Sequence, residues 1–283
     1  MILLRVVKIK MNTKFIVNDY ALIWNLLFQS SPVDILSKVK EKLWETYREE
    51  YNQTYNDKMA IMKDYKNFIP NNDTIYNVVL ENKFYDKVKK QAEKYRLEVM
   101  NVWDKNKKST DYLIDKIVRI NIPEYTFFVV NKELGVIDHP VKGSMVLGKP
   151  IDTKNPLLLL YEITMNIVMN NIKVYDEKDK DFKKAIVELA VLNEYATKLN
   201  NRSCYLSGNP SLLSLKRWIY PYWLMYLGIP KEEFQNYMMR DKIAFDMEKY
   251  AYEKELKKMN LEEFIDFCIR NKRYIVRENM KSQ

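Results

Sequence analysis

Helix-breaking residues are scarce in this chain: 5 glycines and 9 prolines occur among 283 residues. Folds made of short strands and tight turns need many residues that accept a positive or fixed φ, because such turns are built on those backbone angles. With 47% hydrophobic residues, the chain can also bury a substantial core. A globular, helix-rich fold is therefore the first expectation.

One region departs from this helical texture. Residues 125–130 (YTFFVV) are aromatic or β-branched, residues 131–135 form a turn signal, and three of the five glycines lie between residues 131 and 148. We therefore predict an α+β fold that is predominantly α-helical, with long N-terminal helices, a small β-hairpin or sheet near 125–147 and a C-terminal helical part. The chain divides most simply into an N-terminal helical portion, 1–120, and a portion 121–283, with one continuous domain as the alternative.

Apolar periodicity and end signals predict where the helices lie. Ser31-Pro32 is a start signal, and Asn260 with Glu263 three residues later has the pattern of a capping box. The predicted helices are 19–29, 33–68, 74–103, 110–117, 157–170, 183–199, 210–227, 230–259 and 261–271. Residues 33–68 are expected to form either one long helix or two nearly collinear ones.

Several classes of protein are disfavoured by the sequence. Its apolar runs are shorter than the roughly twenty residues of a membrane span, and residues 1–10 lack the pattern of a secretory signal, although Met11 is an alternative start. Two cysteines, Cys204 and Cys268, are too few for a disulfide scaffold and are expected to be buried thiols. No glycine-rich phosphate-binding motif occurs. We expect a soluble cytoplasmic protein without a cofactor.

A net charge of +9 raises the alternative of a nucleic-acid-binding protein. Part of this excess lies at 83–119, which contains eleven basic residues and six acidic ones. This density is moderate, so a solvated helix face explains it as well as a phosphate-binding surface does. Any nucleic-acid binding is expected to be weak and non-specific.

The order of elements around residues 157–201 resembles zincin-type metallopeptidases, in which an HExxH helix follows a small sheet and the next helix supplies the third metal ligand. HExxH places two imidazoles on one helix face, where they share a zinc ion while the Glu between them polarises a water molecule. On this pattern Tyr161 and Met165 occupy the histidine positions, and Glu162 occupies that of the general base. In the glutamate-ligand (gluzincin-like) branch, the third ligand falls at Glu188, with Glu194 the less favoured alternative.

The resemblance implies a motif that has lost its metal-binding side chains. His139 is the sole histidine in the sequence, so two imidazole ligands cannot be assembled. A phenol and a thioether are poor zinc ligands. No catalytic residue or metal ligand is therefore assigned: Glu162 is a candidate remnant of the active site, and Tyr161, Met165 and Glu188 are degenerate ligand positions. On a regular helix Glu188 and Glu194 lie about 240° apart, so one is expected to face inward and the other solvent.

Three functions remain open. The leading hypothesis is a non-catalytic, metallopeptidase-like binding or scaffold protein with an unknown protein partner, in which Glu162 is buried and paired. The alternative is the basic helical nucleic-acid-binding protein. The third is an enzyme with a carboxylate site at Glu162 and Glu188, holding a hard metal ion or acting as an acid/base pair. The aromatic cluster 218–226 is expected to be core, and His139 to lie at a strand end.

Overall fold

The computed structural model describes residues 11–29, 37–56, 70, 72–122, 124–139, 142–200, 206–240 and 254–280. Their structure is α+β and predominantly helical, which confirms the predicted fold class. The chain forms two compact units. The sheet unit contains residues 11–105 and 123–160, and the helical unit contains the described parts of 106–122 and 161–283.

The sheet unit combines strands and helices from both sides of residue 120. Its strands are β1 (Thr13–Ile16), β2 (Tyr125–Val129), β3 (Val136–Asp138) and β4 (Ser144–Gly148). A short 3-10 turn, Lys132–Leu134, precedes β3. The helices are α1 (Asp19–Phe28), α2 (Ser37–Thr46), α3 (Arg48–Asn56), α4 (Thr74–Leu80) and α5 (Lys83–Tyr112), the last of which continues into the helical unit.

The four strands form one mixed sheet in the order β1-β2-β4-β3. Strands β1 and β4 run parallel to β2, and β3 is antiparallel to β4. The predicted strand region near 125–147 is therefore a sheet, and β1 is an addition that was not predicted. Because β1 pairs with β2, residues 123–160 pack with the N-terminal residues, so the compact units divide the chain differently from a split at residue 120.

The central strands lie in an apolar core. Every residue of β2 and β4 is buried. Phe15 of β1 stacks on Phe127 of β2 with ring centroids 4.4 Å apart, and Trp103 of α5 lies 5.5 Å from the same ring. Strands buried on both faces read as continuous apolar runs, which is the pattern that residues 125–130 show. The rest of the core joins α1, α4 and the first turns of α5 to the sheet.

The helical unit consists of helices and π-helical segments. Its α-helices are α6 (Leu157–Asn171, from Tyr161 onward), α7 (Lys180–Glu188), α8 (Ala196–Asn200), α9 (Leu213–Leu227), α10 (Phe234–Arg240), α11 (Leu261–Arg270) and α12 (Lys272–Met280). Wider π-helical segments continue α5 at Leu113–Val118 and α7 at Leu189–Tyr195. Short 3-10 turns lie at Glu177–Asp179, Pro210–Leu212, Lys231–Glu233 and Lys254–Lys258.

Local signals account for several helix ends. The side chain of Asn260 accepts from the Glu263 backbone N–H, and Glu263 accepts from the Asn260 N–H, which confirms the capping box. Gly228 ends α9 with a φ of 75°, a left-handed angle that favours glycine. Helix α9 continues through Pro221. The predicted start at Ser31-Pro32 and parts of the predicted helices 33–68 and 230–259 lie outside the described residues.

Arg119 joins three segments of the helical unit. It ends the first π-helical segment with a φ of 57°, and its guanidinium donates to the carbonyl oxygens of Lys257 at 2.6 Å and Met259 at 3.0 Å. The same guanidinium lies 4.7 Å from the centre of the Tyr226 ring in α9. This cation-π contact fixes the end of the segment against α9.

No helix within the described ranges is both long enough and apolar enough to cross a membrane.

Candidate functional site

Helix α6 carries the three residues that the resemblance assigns to the metal-binding motif. Tyr161 is 8% exposed, whereas Glu162 and Met165 are partly exposed. The Tyr161 hydroxyl accepts a hydrogen bond from the Asn200 amide at 2.9 Å, and its ring meets the Tyr195 ring edge-on with centroids 6.2 Å apart. The structure therefore places Tyr161 against the C-terminal end of the next long helical segment.

Tyr195 is itself held inside the helical unit. Its hydroxyl lies 2.6 Å from the hydroxyl of Thr110. Burial raises the pKa of Tyr195 to about 12, although hydrogen bonds with Thr110 and Thr164 act in the opposite direction. The phenol therefore stays protonated at neutral pH, and this corner is a neutral hydrogen-bonded network.

Glu188, the last residue of α7, is the buried carboxylate of this region. Its side chain is 2% exposed, and its Oε2 lies 2.7 Å from the Nζ of Lys216 in α9, a side chain that is 1% exposed. The Asn209 backbone N–H also donates to Oε2, at 3.1 Å. Glu162, which we expected to be buried, is partly exposed, whereas Glu188 is buried beside Lys216.

The Lys216 ammonium has three acceptors. Besides Glu188, it donates to the carbonyl oxygens of Ser207 at 2.9 Å and Leu206 at 3.3 Å. An ammonium group has three N–H donors, so every donor of Lys216 has an acceptor. The loop 206–209 is thereby tied to both charged side chains.

Gly208 lets this loop approach the carboxylate closely. Its φ is +117°, an angle that L side chains rarely adopt. A Cβ atom at this position would lie 2.4 Å from Glu188 Oε2 and 2.8 Å from Leu192 Cδ1. Glycine is therefore favoured at position 208 for two reasons: it accepts the positive φ, and it leaves room for the Glu188 carboxylate.

Glu194, which lies six residues after Glu188, also reaches α9. Its Oε1 accepts from the indole Nε1 of Trp223 at 3.3 Å and from the Asn193 amide at 3.0 Å. Lys216 and Trp223 are seven residues apart, which places them on one face of α9. Glu188 is buried and Glu194 is partly exposed, and residues 189–195 between them are π-helical, so the rotation per residue of a regular α-helix does not apply there.

The degenerate ligand positions do not converge on Glu188 through hydrogen bonds. The polar partners of the Glu188 side chain are Lys216 and the backbone of Asn209, whereas Tyr161 contacts Asn200 and Tyr195. Within the described part of the chain, no group of three or more His, Cys, Asp or Glu residues is arranged to hold a metal ion.

The sequence analysis also considered His139, the two cysteines and the aromatic cluster 218–226. In the sheet unit, His139 follows β3, and its Nδ1 lies 3.2 Å from the Tyr125 hydroxyl. In the helical unit Cys268 is fully buried, and burial raises the pKa of its thiol. Cys204 lies outside the described residues. We predicted that the aromatic cluster 218–226 packs in the core. Three of its side chains are fully buried, which agrees with this prediction: Tyr220, Trp223 and Tyr226.

Lys216 was not singled out from the sequence, although a signal was present. It lies near the start of α9 (LSLKRWIYPYWLMYL), and the residues three, four and seven positions further on are Ile219, Tyr220 and Trp223. A lysine on the same face as three apolar residues is expected to be buried, and a buried lysine needs a counter-charge.

No known protein family, curated protein or solved structure matches this chain.

We predict that Lys216→Met lowers the free energy of unfolding by on the order of 3 kcal/mol, because Glu188 is then a buried carboxylate without its counter-charge. Glu162→Gln, at a partly exposed position of α6, is the matched carboxylate change and should cost less than about 1 kcal/mol. Urea unfolding followed by circular dichroism measures both. An equal or larger loss for Glu162→Gln would show that Glu188 is not the principal buried charge.

Proposed function

We propose that this chain is a non-catalytic binding protein that engages a protein partner through an exposed aromatic surface on α2 and α3. This surface, the α2–α3 stripe, consists of the exposed residues Trp44, Arg48 and Tyr55 together with Tyr51, which is partly buried against the core. The observation that carries the proposal is the composition and exposure of this stripe.

The four residues follow helical spacing, with steps of four, three and four positions. Trp44 is 41% exposed and Tyr55 is 55% exposed. The Arg48 guanidinium lies 4.8 Å from the centre of the Trp44 ring, and the Tyr51 ring meets Trp44 edge-on at 5.7 Å. Trp, Tyr and Arg are the residues that most often dominate binding energy at protein interfaces.

The inner side of the same helices is anchored, so the stripe is held in place. Leu43 and Thr54 are each 1% exposed. The indole N–H of Trp24 in α1 donates to the backbone oxygen of Thr54 at 3.1 Å, and Phe28 packs edge-on against Tyr55 at 5.4 Å. A binding surface whose side chains are already ordered loses less conformational entropy on association.

The charge on these helices favours a protein partner over a nucleic acid. Between residues 37 and 56 the basic residues are Lys38, Lys40, Lys42 and Arg48, and the acidic ones are Glu41, Glu45, Glu49 and Glu50, so four charges balance four. Nucleic-acid binding depends on an excess of basic groups that displaces counterions from phosphates. The stripe lacks that excess.

The buried ion pair of the helical unit supports the absence of zinc catalysis. In the resemblance to zincins, Glu188 is the position of the third metal ligand. In this chain the Lys216 ammonium lies 2.7 Å from that carboxylate, so a cation supplied by the protein already neutralises it. An ammonium group cannot polarise a water molecule as a zinc ion does.

We expect the full-length protein, purified without chelators or an affinity metal, to contain far less than one zinc ion per chain, because zinc sites are built from imidazole, thiolate and carboxylate ligands. Elemental analysis by plasma mass spectrometry measures this ratio. A ratio close to one zinc per chain, lost together with thermal stability on adding a chelator, would contradict the non-catalytic proposal.

The partner surface is tested with two double variants. A photo-crosslinking amino acid placed beside the stripe, at the exposed Asn52, identifies the protein that contacts it in source cells, and calorimetry with that purified protein measures the affinity. Trp44→Ala/Tyr55→Ala should weaken Kd at least about tenfold, because truncating interface aromatics costs about 1 kcal/mol or more each.

The matched control is Phe84→Ala/Leu97→Ala, which removes two other large exposed side chains of the sheet unit. It should leave Kd within about twofold, as surface changes outside an interface do. Equal losses for both double variants would place the interface elsewhere. Crosslinking to nucleic acid alone, with affinity that falls steeply as salt rises, would replace the proposal with the nucleic-acid-binding alternative.

A further inference from the structure

A cleft in the helical unit lies between the end of α6 and the start of α7. Its volume is about 400 Å³, within the usual range for small-molecule sites. Apolar and aromatic side chains line one part, among them Met169, Val174 and Tyr175, and lysines from α7 line another. Val174 is 88% exposed, so the cleft is open to solvent beside it.

Lys183 is the unusual residue of this cleft. Only 8% of it is exposed, and no carboxylate lies within ion-pair distance of its ammonium among the described residues. Its Nζ donates instead to the backbone oxygens of Ile172 at 3.2 Å and Lys173 at 3.0 Å, just beyond the end of α6. Two neutral acceptors compensate a buried charge less well than a carboxylate does.

The surroundings of Lys183 disfavour the protonated form of its amine. Burial lowers the pKa of this amine, and the nearby Glu262 of α11 opposes the shift without cancelling it. The other charged groups lining the cleft are Lys180, Lys184, Glu177 and Asp181, of which Lys180 is paired with Glu177. A larger share of Lys183 is therefore neutral near pH 7 than of an exposed lysine, and the neutral amine is the nucleophilic form.

We propose that Lys183 forms a reversible imine with a small aldehyde or ketone that carries an anionic group, and that Lys184 holds the anion. The geometry supports this chemistry because Lys183 is among the residues that line an open cleft large enough for such a molecule. Lys183 and Lys184 are neighbours on α7, and Lys184 is partly exposed without an ion pair among the described residues. This site is separate from the α2–α3 stripe, so it adds a ligand to the proposed binding function and does not depend on it.

The reaction balances without an oxidant or reductant. The lone pair of the neutral Lys183 nitrogen forms a C–N bond to the carbonyl carbon while the π bond of the carbonyl group breaks, and one proton passes from the nitrogen to the oxygen. The resulting carbinolamine loses one water molecule, which leaves a C=N bond in place of the C=O bond. Hydrolysis reverses the step, so the ligand is held covalently but reversibly.

Pyridoxal 5′-phosphate is a suitable probe because it carries both an aldehyde and a phosphate. The full chain is incubated at pH 7 with less than one equivalent of the probe, the imine is reduced with sodium borohydride, and the labelled lysines are identified by peptide mass spectrometry. Lys178, whose side chain is 71% exposed, is the internal control. Labelling of Lys183 should exceed that of Lys178 several-fold, because a lowered pKa raises the neutral fraction of the amine at pH 7.

Two variants separate the amine from the anion site. Lys183→Arg keeps the positive charge and donors for the two backbone oxygens, and it should abolish the preferred label while the far-ultraviolet circular dichroism stays unchanged. Lys184→Ala should reduce labelling of Lys183 by the phosphorylated probe several-fold and leave labelling by pyridoxal, which lacks the phosphate, unchanged. Labelling of Lys178 at or above the level of Lys183 would overturn the proposal. Equal losses for both aldehydes in Lys184→Ala would overturn the role of Lys184.

Discussion

Among the described residues of the helical unit, the buried ion pair between Glu188 and Lys216 is the interaction on which the packing depends. Removing two charges from water is costly, and the cost is recovered only where each charge has a partner and its remaining hydrogen-bonding groups are satisfied. Lys216 meets this requirement with Glu188 and two backbone oxygens, and Glu188 accepts from Lys216 and from the Asn209 N–H. The pair therefore joins the end of α7, the start of α9 and the loop 206–209. That loop can close on the carboxylate only because residue 208 is a glycine.

The same pair gives the resemblance to metallopeptidases a physical interpretation, which remains a proposal. If Glu188 occupies a former metal-ligand position, loss of the metal would have left a buried carboxylate without a cation. A lysine from the neighbouring helix supplies that charge and keeps the packing, but it does not supply Lewis acidity. A protein of this kind would retain the framework of an enzyme as support for binding. The α2–α3 stripe of the sheet unit then provides the surface through which the chain would act.

Local features of this fold could be predicted from the sequence, and features that depend on distant residues could not. Helix α6 was predicted to within one residue, because its apolar run and the flanking Pro156 are local signals. Strand β1 was missed because it has four residues and its partner, Tyr125–Phe128, is over a hundred positions away. The partner of Glu188 was missed for a similar reason, since Lys216 lies 28 positions further on. The π-helical segment 189–195 has no sequence pattern that distinguishes it from an α-helix.

The central claim is that Glu188 and Lys216 stabilise the helical unit as a pair, and a double-mutant cycle tests it most directly. The free energy of unfolding is measured for the wild type, Glu188→Leu, Lys216→Met and the double variant by urea denaturation. Each single change leaves one buried charge uncompensated, whereas the double change removes both. The account predicts a coupling energy of about 2 kcal/mol or more, with the double variant more stable than the sum of the single losses implies. Single losses that add to within about 0.5 kcal/mol would contradict it.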